Sequence, residues 1–215
     1  MRLAERPRVV LVLRMTAAPD WKARPEGPEY DAVRSRLVDA AEAIVRDRGV
    51  NALRLDAVAE ACELHRSSLY RYFGSKEELL TAVVVQASMR VRKKVLRKLG
   101  KDAPPERLLA EGMAIALAEM ANDPVHRSLM DPSASEAMAK IGSKALTGGI
   151  RPVVDPLFAL AEEQGLLRKG VSPEDASRWL QIVASGLVRS PDIIPDPKEL
   201  TRFLELMLVP TLIDR

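Results

Sequence analysis

Arg66, Ser67, Ser68, Tyr70, Arg71 and Tyr72 set cationic, hydroxyl and phenol groups on about two turns of helix, with Leu69 and Phe73 turned inward at a spacing of four. Donors of these kinds on one short helix suit a B-DNA major groove, which admits a single helix and presents base edges between flanking phosphates. Little else in the chain offers chemistry. His65 and His126 are the only histidines, and Cys62, the only cysteine, falls on an apolar helical face. There is no HExxH, CxxC, GxSxG or phosphate-binding glycine loop, so an enzyme has little to stand on. Ligands for a metal site are mostly lacking, and no cofactor is implied.

The elements that must hold those donors surround them closely. Leu55, Val58, Ala59 and Cys62 fall at i, i+3, i+4 and i+7 of one helical face, Glu63-Leu64-His65 interrupts the pattern, and a short second helix over 66–72 follows. Gly74 permits the corner after it. Ser75 and Glu78 form a capping box that starts the next helix. Upstream, residues 31–48 make an amphipathic helix with Val33, Leu37, Ala40, Ala41, Ile44 and Val45 as its stripe and Gly49 as its C-terminal stop. Packed on the two motif helices, it completes a three-helix unit.

Ala57-Val58-Ala59, the turn, and then SLYRYFGSKEEL over 68–79 resemble the TetR family of one-component transcriptional repressors across residues 32–80. The string LYxYFxSKEEL joins recognition helix, corner and next-helix cap. The resemblance implies an all-α fold: a three-helix helix-turn-helix domain at 30–80, then a helical-bundle domain for effector binding and dimerisation at 81–215. It also implies a phosphate contact from Lys76. The candidate DNA contacts are therefore Arg54, His65, Arg66, Ser67, Ser68, Tyr70, Arg71, Tyr72 and Lys76. The chain departs from the family's pattern at three places. Arg54 stands where a small capping residue, often Thr, is usual; Glu63 where Gly is usual; and His65 where Ser or Thr caps the recognition helix. A left-handed Glu63 would cost about 1 kcal/mol relative to Gly, and His65 would have to cap through a ring nitrogen.

With 215 residues there is room for one large domain or two small ones. A hydrophobic fraction of 47%, 29% charged residues and only 4% aromatics favour a helical protein, and no run alternates long enough to build a sheet. A single cysteine fits a reducing cytosol, and no apolar run approaches a membrane-spanning length, so a cytoplasmic protein without membrane attachment is expected. The net charge of +3 is spread unevenly. Residues 81–101 carry seven basic side chains and no acid, whereas 102–215 hold 12 basic and 17 acidic ones. The basic block reads either as an extension of a DNA footprint or as a solvated helix face. Residues 1–29, with four prolines and six scattered basic residues, read as a flexible arm, with Met15 as a possible alternative start.

Beyond the motif, a long helix is expected over 76–99, another over 104–121, and a short one after Pro124. A weakly amphipathic helix opened by a Ser133–Glu136 capping box should end at Gly148-Gly149, which separates it from a further helix over 151–164. Ser172-Pro173-Glu174-Asp175 and Asp196-Pro197-Lys198-Glu199 start the last two helices, 173–190 and 197–213. Their broad apolar surface suggests a homodimer built as a four-helix bundle, which would present two recognition helices to a palindromic operator on double-stranded DNA. The family resemblance implies an effector pocket inside the helical bundle between residues 104 and 190. Met113, Leu117, Met120, Met130, Met138, Phe158 and Trp179 are its candidate lining, an adaptable apolar set, although residues at such helical spacing are more often plain core. His126, Arg127, Arg178 and Gln181 read as surface residues or local hydrogen-bond partners. The expectation is a repressor released by a small apolar or acyl-type effector. The alternative is a helical ligand-binding or interaction protein that lost DNA affinity, consistent with 8 basic against 9 acidic residues over 31–80.

Overall fold

Prolines and capping residues set where the helices begin. The computed structural model describes residues 27–100, 103–131 and 136–214, and the secondary structure there is helical apart from one isolated bridge between Leu167 and Ile213. In chain order the helices are α1 (Pro28–Arg48), α2 (Leu55–Ala61), α3 (Arg66–Leu69), α4 (Lys76–Leu99), α5 (Pro105–Arg107), α6 (Met113–Asn122), α7 (Pro124–Leu129), α8 (Glu136–Glu163), α9 (Pro173–Arg189), α10 (Pro197–Met207) and α11 (Val209–Leu212). Pro28 does not break α1 but opens it, because a proline's missing N–H costs nothing in a first turn. The reading of residues 1–29 as an arm therefore gives up Pro28 and Glu29 to this helix. Residues 1–26, with Met15, lie outside the described residues, as do Ser133 of the expected capping box and Lys101 of the basic block.

The chain groups into two compact units, one formed by 27–90 with 120–153 and the other by 91–119 with 154–214. This grouping differs from a boundary after Leu80, because α4 and α8 each contribute to both units. In the first unit α1, α2, α3 and the start of α4 share a core in which Leu37, Val45, Val58, Leu69, Phe73 and Leu80 are buried, joined by Val125 of α7 and by Met138 and Ala145 of α8.

Helix α8 runs unbroken through Gly148-Gly149, against the expected break. The glycines answer a tertiary demand. A Cβ on Gly149 would fall 2.4 Å from Val84 Cγ1, and one on Gly148 would fall 3.2 Å from Thr81 Cγ2, so only glycine lets α8 approach α4 this closely. Gly142, Ala145 and Gly149 share one face at helical spacing, and Ala145 is fully buried.

A partly buried polar chain ties α1, α4 and α7 together within the same unit. The Arg90 guanidinium bonds Glu42 at 2.7 Å and reaches Asp123 at 3.5 Å. Asp123 caps α7 by accepting from the backbone N–H groups of Val125 and His126, and it also pairs with His126 Nδ1 at 2.9 Å. His126 is wholly buried, with Ser88 Oγ 3.5 Å from its Nε2. The histidine is therefore Asp123's local partner rather than a surface residue. Burial alone would raise the Asp123 carboxyl, but the hydrogen bonds from the His126 ring and backbone and the charges of His126 and Arg90 hold it well below the usual carboxylate range.

In the second unit Leu109, Phe158, Leu204, Leu208 and Leu212 are buried. Between α5 and α6 the helix widens into one π-turn, Leu108–Gly112, where a plain α-helix was expected. Lys94 and Lys98 both bond Glu119, at 2.7 and 2.9 Å, so this part of the basic block is an ion-pair cluster. Ser172 caps α9 through the Asp175 N–H, and Asp196 caps α10 through the N–H groups of Lys198 and Glu199. The last expected helix, 197–213, is divided at Leu208 into α10 and α11.

Candidate nucleic-acid interface

The corner between α2 and α3 depends on one strained residue. Glu63 has φ of 56°, the left-handed region that favours glycine. With Cys62 as the cap, Leu64 N–H donates to Ala59 O (2.9 Å) and Glu63 N–H to Glu60 O (3.0 Å), the paired bonds of a Schellman stop. The chain thus reverses after α2 without glycine, and α3 starts three residues later.

Helix α3 is shorter than the expected 66–72. Regular α-helix ends at Leu69, and Arg71 N–H to Ser68 O and Tyr72 N–H to Leu69 O tighten the next turn before Phe73 N–H returns to Leu69 O. Leu69 and Phe73 anchor the element in the core with no exposure, while Arg66, Ser67, Tyr70 and Arg71 are exposed and Ser68 is half-buried. His65 occupies the N-cap position with extended backbone but makes no side-chain cap bond, so capping through the ring does not occur. The Arg66 guanidinium donates to the Tyr70 hydroxyl at 3.2 Å and lies 5.9 Å from that ring's centre.

Arg54, at the cap of α2, makes a two-pronged ion pair with Asp56 (3.1 and 2.7 Å), and its hydrogen bond holds the Asp56 carboxyl down at about 2. The Arg54 charge is thereby largely answered within the chain. At the start of α4, Ser75 Oγ accepts from Glu78 N–H, and Glu78 Oε2 accepts from Gly74 N–H at 2.7 Å, one residue ahead of the usual capping-box partner. Lys76 stands half-buried in this first turn, and burial lowers its ammonium pKa.

Sequence reasoning gave no role to Tyr30. Its ring stacks on Tyr72 with centroids 4.7 Å apart, and its hydroxyl reaches the Arg71 carbonyl at 3.4 Å. Arg34 lies over the Phe73 ring at 4.8 Å, and Arg36 donates to the Cys62 carbonyl at 3.2 Å. These two arginines brace the motif. The only signal for Tyr30 was an aromatic residue at the head of an amphipathic helix.

The seven candidate pocket residues do not fall in one unit. Met113, Leu117, Phe158 and Trp179 belong to the second unit and Met120, Met130 and Met138 to the first. Met138 is part of the first unit's core, and Trp179 is 42% exposed with its indole N–H on Thr211 Oγ1. A hollow of about 190 Å³ in the second unit is lined by Glu106, Arg107, Glu205 and Val209, none of them among the seven. Among the described residues no cluster of three His, Cys, Asp or Glu side chains is placed to hold a metal, and no helix is long and apolar enough to cross a membrane.

Residues 37–83 match the family model described as bacterial regulatory proteins, tetR family. Over 94 residues the chain is 32% identical to an uncharacterized HTH-type transcriptional regulator of Mycobacterium tuberculosis, covering 43% of this chain and 45% of that one. It thus spans less than half the length of that relative. Over 189 residues it is 28% identical to the HTH-type transcriptional repressor KstR of Rhodococcus jostii, covering 81% and 82% of the two chains. The crystal structure of RolR in complex with resorcinol superposes with a TM-score of 0.60 at 18% identity, over 83% of this chain and 88% of that one, a likeness of fold.

Proposed function

We propose that this chain, a tetR-family DNA-binding regulator rather than an enzyme by its match over residues 37–83 and its likeness to KstR, acts as a dimeric, ligand-responsive repressor in the cytoplasm. The observation that carries this reading is the exposed face of α3. Arg66, Ser67, Tyr70 and Arg71 project donors outward from an element whose Leu69 and Phe73 are fully buried, as a helix docking in a major groove requires. In this reading residues 30–80 bind the operator and 81–215 take the effector and dimerise. Arg66, Ser67, Ser68, Tyr70 and Arg71 meet the groove, Lys76 meets a phosphate, and Tyr72 supports the helix from behind. Arg54 and His65 flank the contact.

Dimerisation falls to α9 and α10. Ile182 is 57% exposed, Leu206 56% and Met207 60%, with Trp179 and Phe203 beside them in the same two helices. So much large apolar side chain left open on adjoining segments of the chain suits a partner copy better than water. The effector is small and apolar or acyl-type, a class that the apolar side chains of α6, with Met113 at its head, would suit. Its binding would favour a geometry in which the paired α3 helices no longer match successive grooves.

Fluorescence-anisotropy titration against the chain's own upstream DNA, at several salt concentrations and with competitor DNA, tests the reading. Binding that survives competitor, tightens as salt falls and collapses in Tyr70→Ala is expected. Affinity no better than for random DNA, across several upstream fragments, overturns it.

A further inference from the structure

The arginines around the motif are held in different ways, and the difference bears on which of them reads a base. Arg54 is tied fork-to-fork to the Asp56 carboxylate, Arg90 to Glu42 and Asp123, and Arg36 to a backbone carbonyl. Arg54 and Arg90 thus face carboxylates that answer their charge, and Arg36 is turned inward from α1 to brace the α2–α3 corner rather than standing on α3. Arg66 is held otherwise. Its partner is the neutral hydroxyl of Tyr70, four residues on along the same helix face, at 3.2 Å. A phenol orients the guanidinium without neutralising it and occupies only part of its five-donor fork. Arg66 is also the first residue of α3, and a recognition helix directs its N-terminal residues at base edges.

Building on the repressor reading, we infer that Arg66 is a specificity-determining residue that reads one guanine in each operator half-site, with Tyr70 as the residue that positions it. The chemistry follows from the fork. Guanine offers O6 and N7 as two acceptors side by side in the major groove, and a guanidinium meets both at once. Steadied by Tyr70, the fork enters the groove with less rotamer freedom to lose.

The test is selection of bound duplexes from a randomised DNA pool by the full-length protein and its variants, followed by affinity measurements on the selected site. The wild type is expected to enrich a site with one strongly preferred G per half-site, discriminated by roughly 5- to 150-fold over other bases. Arg66→Ala loses that preference while keeping the remaining positions. Arg66→Gln shifts it from G towards A, since a glutamine amide pairs with adenine N6 and N7. Tyr70→Phe keeps G as the preferred base but weakens the discrimination, and 7-deazaguanine at the position weakens wild type and leaves Arg66→Ala unaffected. If Arg66→Ala selects the same base at every position and merely binds all DNA more weakly, Arg66 is a phosphate contact and the inference is overturned. If the wild type enriches no sequence at all, the repressor reading itself fails, and this inference fails with it.

Discussion

Gly149→Ala is the substitution whose sign the structure decides against ordinary helix behaviour. In an exposed helix interior, Gly→Ala stabilises by about 1 kcal/mol. At Gly149 the new Cβ would stand 2.4 Å from Val84 Cγ1, 2.7 Å from its Cβ and 3.1 Å from its backbone carbonyl carbon. A rotamer change at Val84 relieves only the first of these, so α4 and α8 must separate. Overpacking of this kind costs about 1–3 kcal/mol, and contact with main chain places it at the upper end. Net of the helix gain, the expected destabilisation is about 2 kcal/mol, or roughly 4–8 °C in a chain of this size. Urea denaturation followed by circular dichroism, at fixed protein concentration because a dimer unfolds concentration-dependently, measures it. Gly148→Ala, facing only the Thr81 side chain, with its methyl at 3.2 Å, should be close to neutral. Adding Val84→Ala to Gly149→Ala should cost less than the two singles combined, because one clash is removed. A Gly149→Ala protein as stable as wild type, with an unchanged denaturant slope, would refute the close approach of α8 to α4.

Three further outcomes are expected. Glu63→Gly should stabilise the protein by about 0.5–1 kcal/mol, since φ of 56° is free for glycine and strained for glutamate; a shift in urea midpoint reads it, and a loss of stability would contradict it. The depressed Asp123 carboxyl contributes stability that is present above its ordinary value of 3.8 and is lost as pH falls below it. Asp123→Asn should therefore be less stable than wild type at pH 7 and lose less on acidification, a difference visible in urea midpoints taken from pH 7 down to about 3. Ile182→Glu combined with Leu206→Glu should yield folded monomers by sedimentation velocity, because a buried unpaired carboxylate in each half of the apolar face opposes association; a dimer that persists would place the interface elsewhere.

What local sequence could reveal was local grammar. Ser75 with Glu78, Ser172 with Asp175 and Asp196 with Glu199 announce helix starts through neighbours three residues away, and all three form their cap bonds. The turn at Glu63 was legible as a departure, because a fixed motif showed where glycine is usual. The continuity of α8 was not legible. Gly148 and Gly149 look like a break until Thr81 and Val84, more than sixty positions away in the chain, supply the reason for them. The early end of α3 escaped for a related cause: Leu69 and Phe73 have helical spacing either way, and the tightened turn between them leaves that spacing intact. Tyr30 owes its role to Tyr72, and His126 its burial beside Ser88 of α4, pairings that periodicity alone does not bring together.

Helix α8 carries Gly148, Gly149, Pro152 and Pro156 within nine positions of its interior. Each proline removes a backbone donor and disfavours helix by about 3 kcal/mol, and each glycine by about 1. A segment of that composition has no helical tendency of its own in water, so its helicity is lent to it by its neighbours. Its amide protons should exchange with deuterium well ahead of those in the flanking turns, through openings that do not unfold the rest of the molecule. Anything that loosens the neighbouring packing would then appear as melting of the middle of α8, not as the tilt of a rigid rod.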